Sequence, residues 1–180
     1  MVIKMKTPVL ETERVILRPL KITDAEDVFN NWAGDPEVTQ YLRYNTHETV
    51  DVTKEWLISI EENDGKTPSY IWGLMLKETG ELFGSFGLFY SQEHKMFEIG
   101  YCIMKKYWNN GLTTEAARAV IDFAVKELKQ TTFFVCHAKE NTASGRIIEK
   151  LGFVYHGDGE YSSVDRKRVF QSREYFLHIK

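Results

Sequence analysis

The segment Tyr107-Trp108-Asn109-Asn110-Gly111-Leu112-Thr113-Thr114-Glu115-Ala116 decides how the chain is read. It leaves an apolar stretch, residues 96–104, that has strand composition. It enters one in which Ala117, Val120, Ile121, Ala124 and Leu128 recur at helical spacing. A short apolar strand follows at residues 132–137. A strand, a crossover helix and a second strand imply a parallel pair. Asn-Gly permits left-handed backbone, so that successive N–H groups point inward. The helix N-terminus adds its own unpaired N–H groups and its positive dipole end. Together they form a cradle suited to a pyrophosphate, with the Thr113 and Thr114 hydroxyls as further donors. The same residues also suit a plain Asn-Gly turn with a threonine cap. No Lys follows Gly at the P-loop position, and no G-x-G-x-x-G is present.

Working outward, residues 14–20 read as a first strand ended by Pro19. Thr23 to Glu26 fits a capping box with Thr23 as N-cap. Ala25, Val28, Phe29, Trp32 and Ala33 then line one helical face. Asp35-Pro36 opens a short helical turn. A further helix is expected over residues 48–62, with Val50, Trp56, Leu57 and Ile60 near one face. The middle of the chain is a three-strand meander at 69–77, 82–90 and 96–104. After the strand at 132–137, Ala143, Ile147, Ile148 and Leu151 mark another helix, stopped by Gly152. Residues 168–179 read as a last strand, paired with one near Val154. The expected architecture is a mixed α/β (α+β) sheet, mostly antiparallel with one parallel pair, flanked by helices, in a single domain over residues 1–180.

Composition excludes several classes. With 180 residues, 43% hydrophobic and 27% charged, the chain can bury a core without disulfides or metals. A net charge of -3 argues against a general nucleic-acid binder. Cys102 and Cys136 make no disulfide framework and read as small strand hydrophobes. The longest apolar stretch, at residues 82–90, is too short to span a membrane. The N-terminus lacks the pattern of a signal peptide, so the expected location is cytoplasmic. The five histidines show no close zinc-type pairing, and no metal is expected. Only His137, at a strand end facing the presumptive cleft, stands out among them. Lys105-Lys106 reads equally as a partner for phosphates or as a solvated pair. Arg166-Lys167-Arg168 reads as a solvated hairpin tip.

A second segment, Asn141-Thr142-Ala143-Ser144, opens the helix after the second parallel strand. Asn and Ser are ordinary cap residues. Their position, however, is the edge where α/β sheets bind ligands, beside the first helix N-terminus. Four stretches in order carry a resemblance: Glu11 to Leu20 (ETERVILRPL), Glu98-Ile99-Gly100-Tyr101, the segment 107–116, and Asn141 to Phe153 (NTASGRIIEKLGF). Over nearly its whole length the chain resembles the GCN5-related N-acetyltransferases, in the branch that includes ribosomal-protein N-terminal acetyltransferases. The resemblance implies acetyl-CoA as acyl donor and an amine as acceptor. It implies that residues 108–113 (Trp108, Asn109, Asn110, Gly111, Leu112, Thr113), with Thr114, wrap the pyrophosphate. Cys102, Ile103 and Met104 would pair their backbone with the pantetheine arm where the two parallel strands splay, and Asn141 would bond the same arm. Two departures stand out. Asn109 and Thr113 occupy positions where the branch often has Gly and Ala or Gly. Ile148 stands where many members carry an acidic tyrosine, which leaves Ser144 or a water to protonate the leaving thiolate.

The expected chemistry is direct attack of the amine on the thioester in a ternary complex. Glu98 is the first candidate for the base. Alternation places it with Gly100 and Cys102 on a strand face that reads as buried, where desolvation would raise its pKa. A paired structural carboxylate is the competing reading. A backbone N–H near Ile103 is the candidate oxyanion donor. The acceptor side is expected from residues 33–45 and 157–168, whose mixed charges select no substrate and leave a protein N-terminus or a small-molecule amine open. An acyl-CoA-binding sensor without turnover is the alternative, a homodimer is plausible, and nucleic acid and membrane are not expected partners.

Overall fold

The computed structural model describes residues 3–180. One eight-stranded sheet is built from β1 (Leu10–Glu11), β2 (Val15–Pro19), β3 (Ser69–Leu76), β4 (Leu82–Ser91), β5 (Met96–Ile103), β6 (Thr132–Ala138), β7 (Val154–Ser162) and β8 (Val169–His178). The strand order is β1-β2-β3-β4-β5-β6-β8-β7. Every neighbouring pair is antiparallel except β5 and β6. The helices are α1 (Ala25–Val28), α2 (Pro36–Thr39), α3 (Val50–Asn63), α4 (Leu112–Lys126) and α5 (Thr142–Lys150). The mixed α/β fold expected from the sequence is therefore observed, with α4 as the crossover between the parallel strands.

Two apolar layers cover the sheet. On one face, α4 packs Ala117, Val120, Ile121, Ala124 and the following Leu128 against Trp72, Phe86 and Phe97, as its periodicity required. On the other face, Ala25, Val28, Trp32 and Ala33 join Leu57 and Cys102. α1 continues without a break into a π-helical turn, Phe29–Ala33. The entry to α1 differs from the expected threonine cap. A 3₁₀ turn, Ile22–Asp24, precedes it, and Asp24 is the working acceptor. Its carboxylate takes the Lys21 N–H and both terminal nitrogens of Arg18, each at 2.8 Å. An ionised carboxylate facing a guanidinium outcompetes a neighbouring hydroxyl for these donors.

The feature that positions the site is a failure of pairing. β5 and β6 match only at Phe97↔Phe133 and Glu98↔Phe134. Beyond those residues β5 stays paired to β4 as far as Gly84↔Ile103, and β6 stays paired to β8 as far as Ala138↔Ser172. Each strand thus keeps its outer neighbour while the two part from one another. α4 and α5 both start at the open end of this wedge.

Candidate active site

A cleft of about 870 Å³ occupies the wedge. This is within the range of small-molecule and cofactor sites. Of the expected site residues, Glu98, Cys102, Ile103, Trp108, Asn109, Asn110, Gly111, Thr113, Thr114, Asn141 and Ser144 line it. Leu112 does not: its side chain belongs to the core beneath α4, so only its backbone can serve a ligand there. Met104 also packs against the core, and its N–H is taken by the Phe83 carbonyl at 2.7 Å. That bond fixes the parity of β5. Met104 turns its backbone toward β4, so Cys102 does too, and Ile103 and Tyr101 turn theirs toward the wedge. The expected backbone contact over residues 102–104 narrows to Ile103. Its carbonyl already accepts Trp108 Nε1 at 2.8 Å, which leaves its N–H for a ligand.

The loop that enters α4 is left-handed at the glycine of Asn110-Gly111 (φ 76°), as expected, and also at Asn109 (φ 62°) rather than at Asn110. Asparagine is one of the few side-chain-bearing residues that tolerate this region. Among the described residues no side chain caps the N-terminus of α4, and Gly111, Thr113 and Thr114 at its start line the cleft. The loop is held from outside. Arg14 donates to the Asn110 carbonyl at 3.1 Å and pairs with Glu115 at 2.7 Å, and Thr12 donates to the same carboxylate at 2.6 Å. These donors hold the Glu115 carboxyl below its usual pKa against the opposing effect of burial. Thr113 is buried on the cleft wall.

At α5, Asn141 Oδ1 accepts the Ser144 N–H at 3.2 Å. The expected cap is therefore present, and the Asn141 amide NH₂ has no protein partner among the described residues. Ser144 Oγ lies 2.8 Å from the Tyr101 hydroxyl. Burial raises the Tyr101 phenol far above its ordinary pKa, so it stays protonated. Tyr101 was missed as a site residue. Its signal was a hydroxyl-bearing aromatic in a buried strand, which needs a partner. Ile148 is fully buried one turn beyond Ser144 and does not line the cleft.

Glu98 is not the desolvated carboxylate that alternation suggested. Its side chain is 23% exposed and pairs with Arg43 at 3.1 Å, because residues 41–45 fold across the end of the cleft. Cys136 Sγ is 3.9 Å from the same oxygen. Burial pushes both thiols up to about 12, so neither is a thiolate nucleophile. Burial also lowers the pKa of His137, whose Nε2 is 3.3 Å from the Tyr175 hydroxyl.

The hairpin tip is not wholly solvated. Arg168 donates to the carbonyls of Gln40, Leu42 and Tyr44 at 3.1, 3.1 and 2.9 Å. Val164 N–H reaches the Arg43 carbonyl at 2.7 Å, and Asn45 bonds Asp165 at 2.8 Å. Lys105 pairs with Glu37, and Lys106 with Glu81, in exposed ion pairs. Among the described residues there is no group of three metal-ligating side chains, and no helix long and apolar enough to cross a membrane.

Known proteins share both the sequence pattern and the fold. The sequence profile of the acetyltransferase (GNAT) domain matches residues 14–154. The chain belongs to the GNAT acetyltransferase family. It is similar to the uncharacterized N-acetyltransferase YoaA of Bacillus subtilis, 30% identical over 83% of this chain and 85% of that one. Among solved structures, a GNAT-family acetyltransferase from Bacillus anthracis superposes with a TM-score of 0.77 at 26% identity, covering 96% and 98% of the two chains. The microcin C7 self-immunity acetyltransferase MccE, solved with acetyl-CoA and AMP, shares the fold with a TM-score of 0.78 at 13% identity, covering 93% and 94%. As a GNAT protein the chain is an acyltransferase, and the family implies acetyl-CoA as cosubstrate and an amine as acceptor.

Proposed function

We propose that this GNAT enzyme moves an acetyl group from acetyl-CoA to a primary amine by direct attack in a ternary complex. The observation that carries the reading is the unpaired wedge, with a free Ile103 N–H on one wall, Glu98 toward one face and Ser144 toward the other. Acetyl-CoA supplies the activated thioester. Asn109, Asn110, Gly111 and the first turn of α4 bind its pyrophosphate, Asn141 bonds the pantetheine arm, and the Ile103 N–H meets the thioester carbonyl.

Glu98, directly or through a water, takes a proton from the incoming ammonium. The freed amine forms the new N–C bond as the carbonyl becomes an oxyanion, which the Ile103 N–H stabilises. As the C–S bond breaks, Ser144 gives its proton to the departing thiolate and recovers one from the nitrogen through a water, so that the serine ends as it began. Tyr101, bonded to Ser144, orients that hydroxyl. Both cysteines remain protonated spectators.

Calorimetric titration with acetyl-CoA and CoA, followed by an amine-panel assay for released thiol, tests the reading. Binding with turnover on an amine is expected. Absence of binding by either nucleotide sinks the cofactor assignment, and binding with no turnover on any amine favours a sensor.

A further inference from the structure

The acceptor end of the cleft holds one pair of opposite charges that the protein has not otherwise spent. Arg43 and Glu98 are 3.1 Å apart and both line the cleft, with side chains 47% and 23% exposed. Of the neighbouring groups, Glu37 faces Lys105, Asp165 accepts from Asn45, and Arg168 donates to three backbone carbonyls. Arg43 uses only Nη2, toward Glu98 and the Cys136 thiol. Its Nε and Nη1 have no protein acceptor among the described residues. The guanidinium rests over the Tyr161 ring, 4.9 Å from the centroid, and the Arg43 backbone is anchored by Val164. The group is therefore preorganised, and its planar fork suits a carboxylate.

We propose that Arg43 reads a carboxylate on the acceptor, and that the acceptor is a small amino acid whose amine and carboxylate are one or two carbons apart. This rests on the acetyl-transfer reading above. An exposed ion pair is weak and readily shared. A zwitterion sets its ammonium against Glu98 and its carboxylate against the free guanidinium N–H groups. Four charges then alternate in sign around a square. An amine without a carboxylate meets Arg43 as a like charge beside Glu98, and a polyamine leaves the free Arg43 N–H groups without an acceptor.

The test compares thiol release with amino acids, their carboxamides, polyamines and peptide N-termini, in wild type, Arg43→Gln and Arg43→Lys. Amino acids should exceed their amides by about tenfold or more in kcat/KM, the cost of an unmatched charge. Arg43→Gln should collapse that ratio toward one, Arg43→Lys should keep part of it, and the acetyl-CoA Kd should stay within about twofold in each. Equal or better turnover of amides, polyamines or peptides overturns the amino-acid assignment and leaves acetyl transfer standing. If acetyl-CoA binds but no amine turns over, amino acids titrated into the CoA-loaded protein decide the point, and absence of heat overturns the assignment. Failure to bind acetyl-CoA overturns the underlying reading instead.

Discussion

Ser144 and Tyr101 share one hydrogen bond, and their substitution should separate chemistry from positioning. Ser144→Ala should lower kcat by about a hundredfold, the scale of one lost proton donor, with the acetyl-CoA Kd nearly unchanged. Tyr101→Phe should cost less, since it removes only the group that orients the serine. Single-turnover kinetics beside calorimetry distinguish the two. Glu98→Gln should lower kcat/KM with the acetyl-CoA Kd nearly unchanged, and an unchanged kcat/KM would take Glu98 out of the mechanism. That Glu98 and Ser144 line the cleft was legible, because strand ends and helix starts follow local rules. Arg43 and Tyr101 were not legible as partners of those residues, because the contacts join positions 55 and 43 residues apart. Only the folded sheet brings them together.

Two elements act on the site from outside it. The cradle is held by Arg14 through Asn110 and Glu115. Gly111→Ala leaves room for the added methyl, whose nearest neighbour is Arg14 Nη2 at 3.6 Å, but it forces alanine to a φ of 76°. About 1 kcal/mol of backbone strain follows, and the acetyl-CoA Kd should rise severalfold while the acceptor KM holds. Arg168→Ala should do the reverse. It frees three carbonyls of residues 40–44, so calorimetry should find acetyl-CoA binding intact while assays find a raised acceptor KM. The left-handed turn at Gly111 was readable from Asn110-Gly111, because left-handed backbone has few suitable residue types. The Arg168 clamp was not readable, since nothing local distinguishes it from the exposed Arg166 and Lys167 beside it.

At the scale of the whole molecule, His47 and Asp24 are two of the groups that shape the response to acid. Burial lowers the pKa of His47, whose Nδ1 is 2.8 Å from the Thr53 hydroxyl. The unfolded chain therefore binds that proton first, and stability present above about pH 6.5 declines as pH falls through the histidine range. Burial would raise the Asp24 carboxyl, but Arg18 and the Lys21 N–H outweigh it and hold it low. Its contribution is present above about pH 4 and is lost as pH falls through the lowered value. Urea unfolding between pH 7.5 and 3 should show both declines. His47→Gln should flatten the first, and Asp24→Asn should cost about 2 kcal/mol at neutral pH by stranding Arg18. The wedge has a consequence of its own. Two residue pairs are the whole stitching between β5 and β6, so the sheet is two fabrics meeting at an open seam. A ligand lying along Ile103 is the thread that closes it, and the seam's amides should trade hydrogen with solvent quickly until that thread is drawn through.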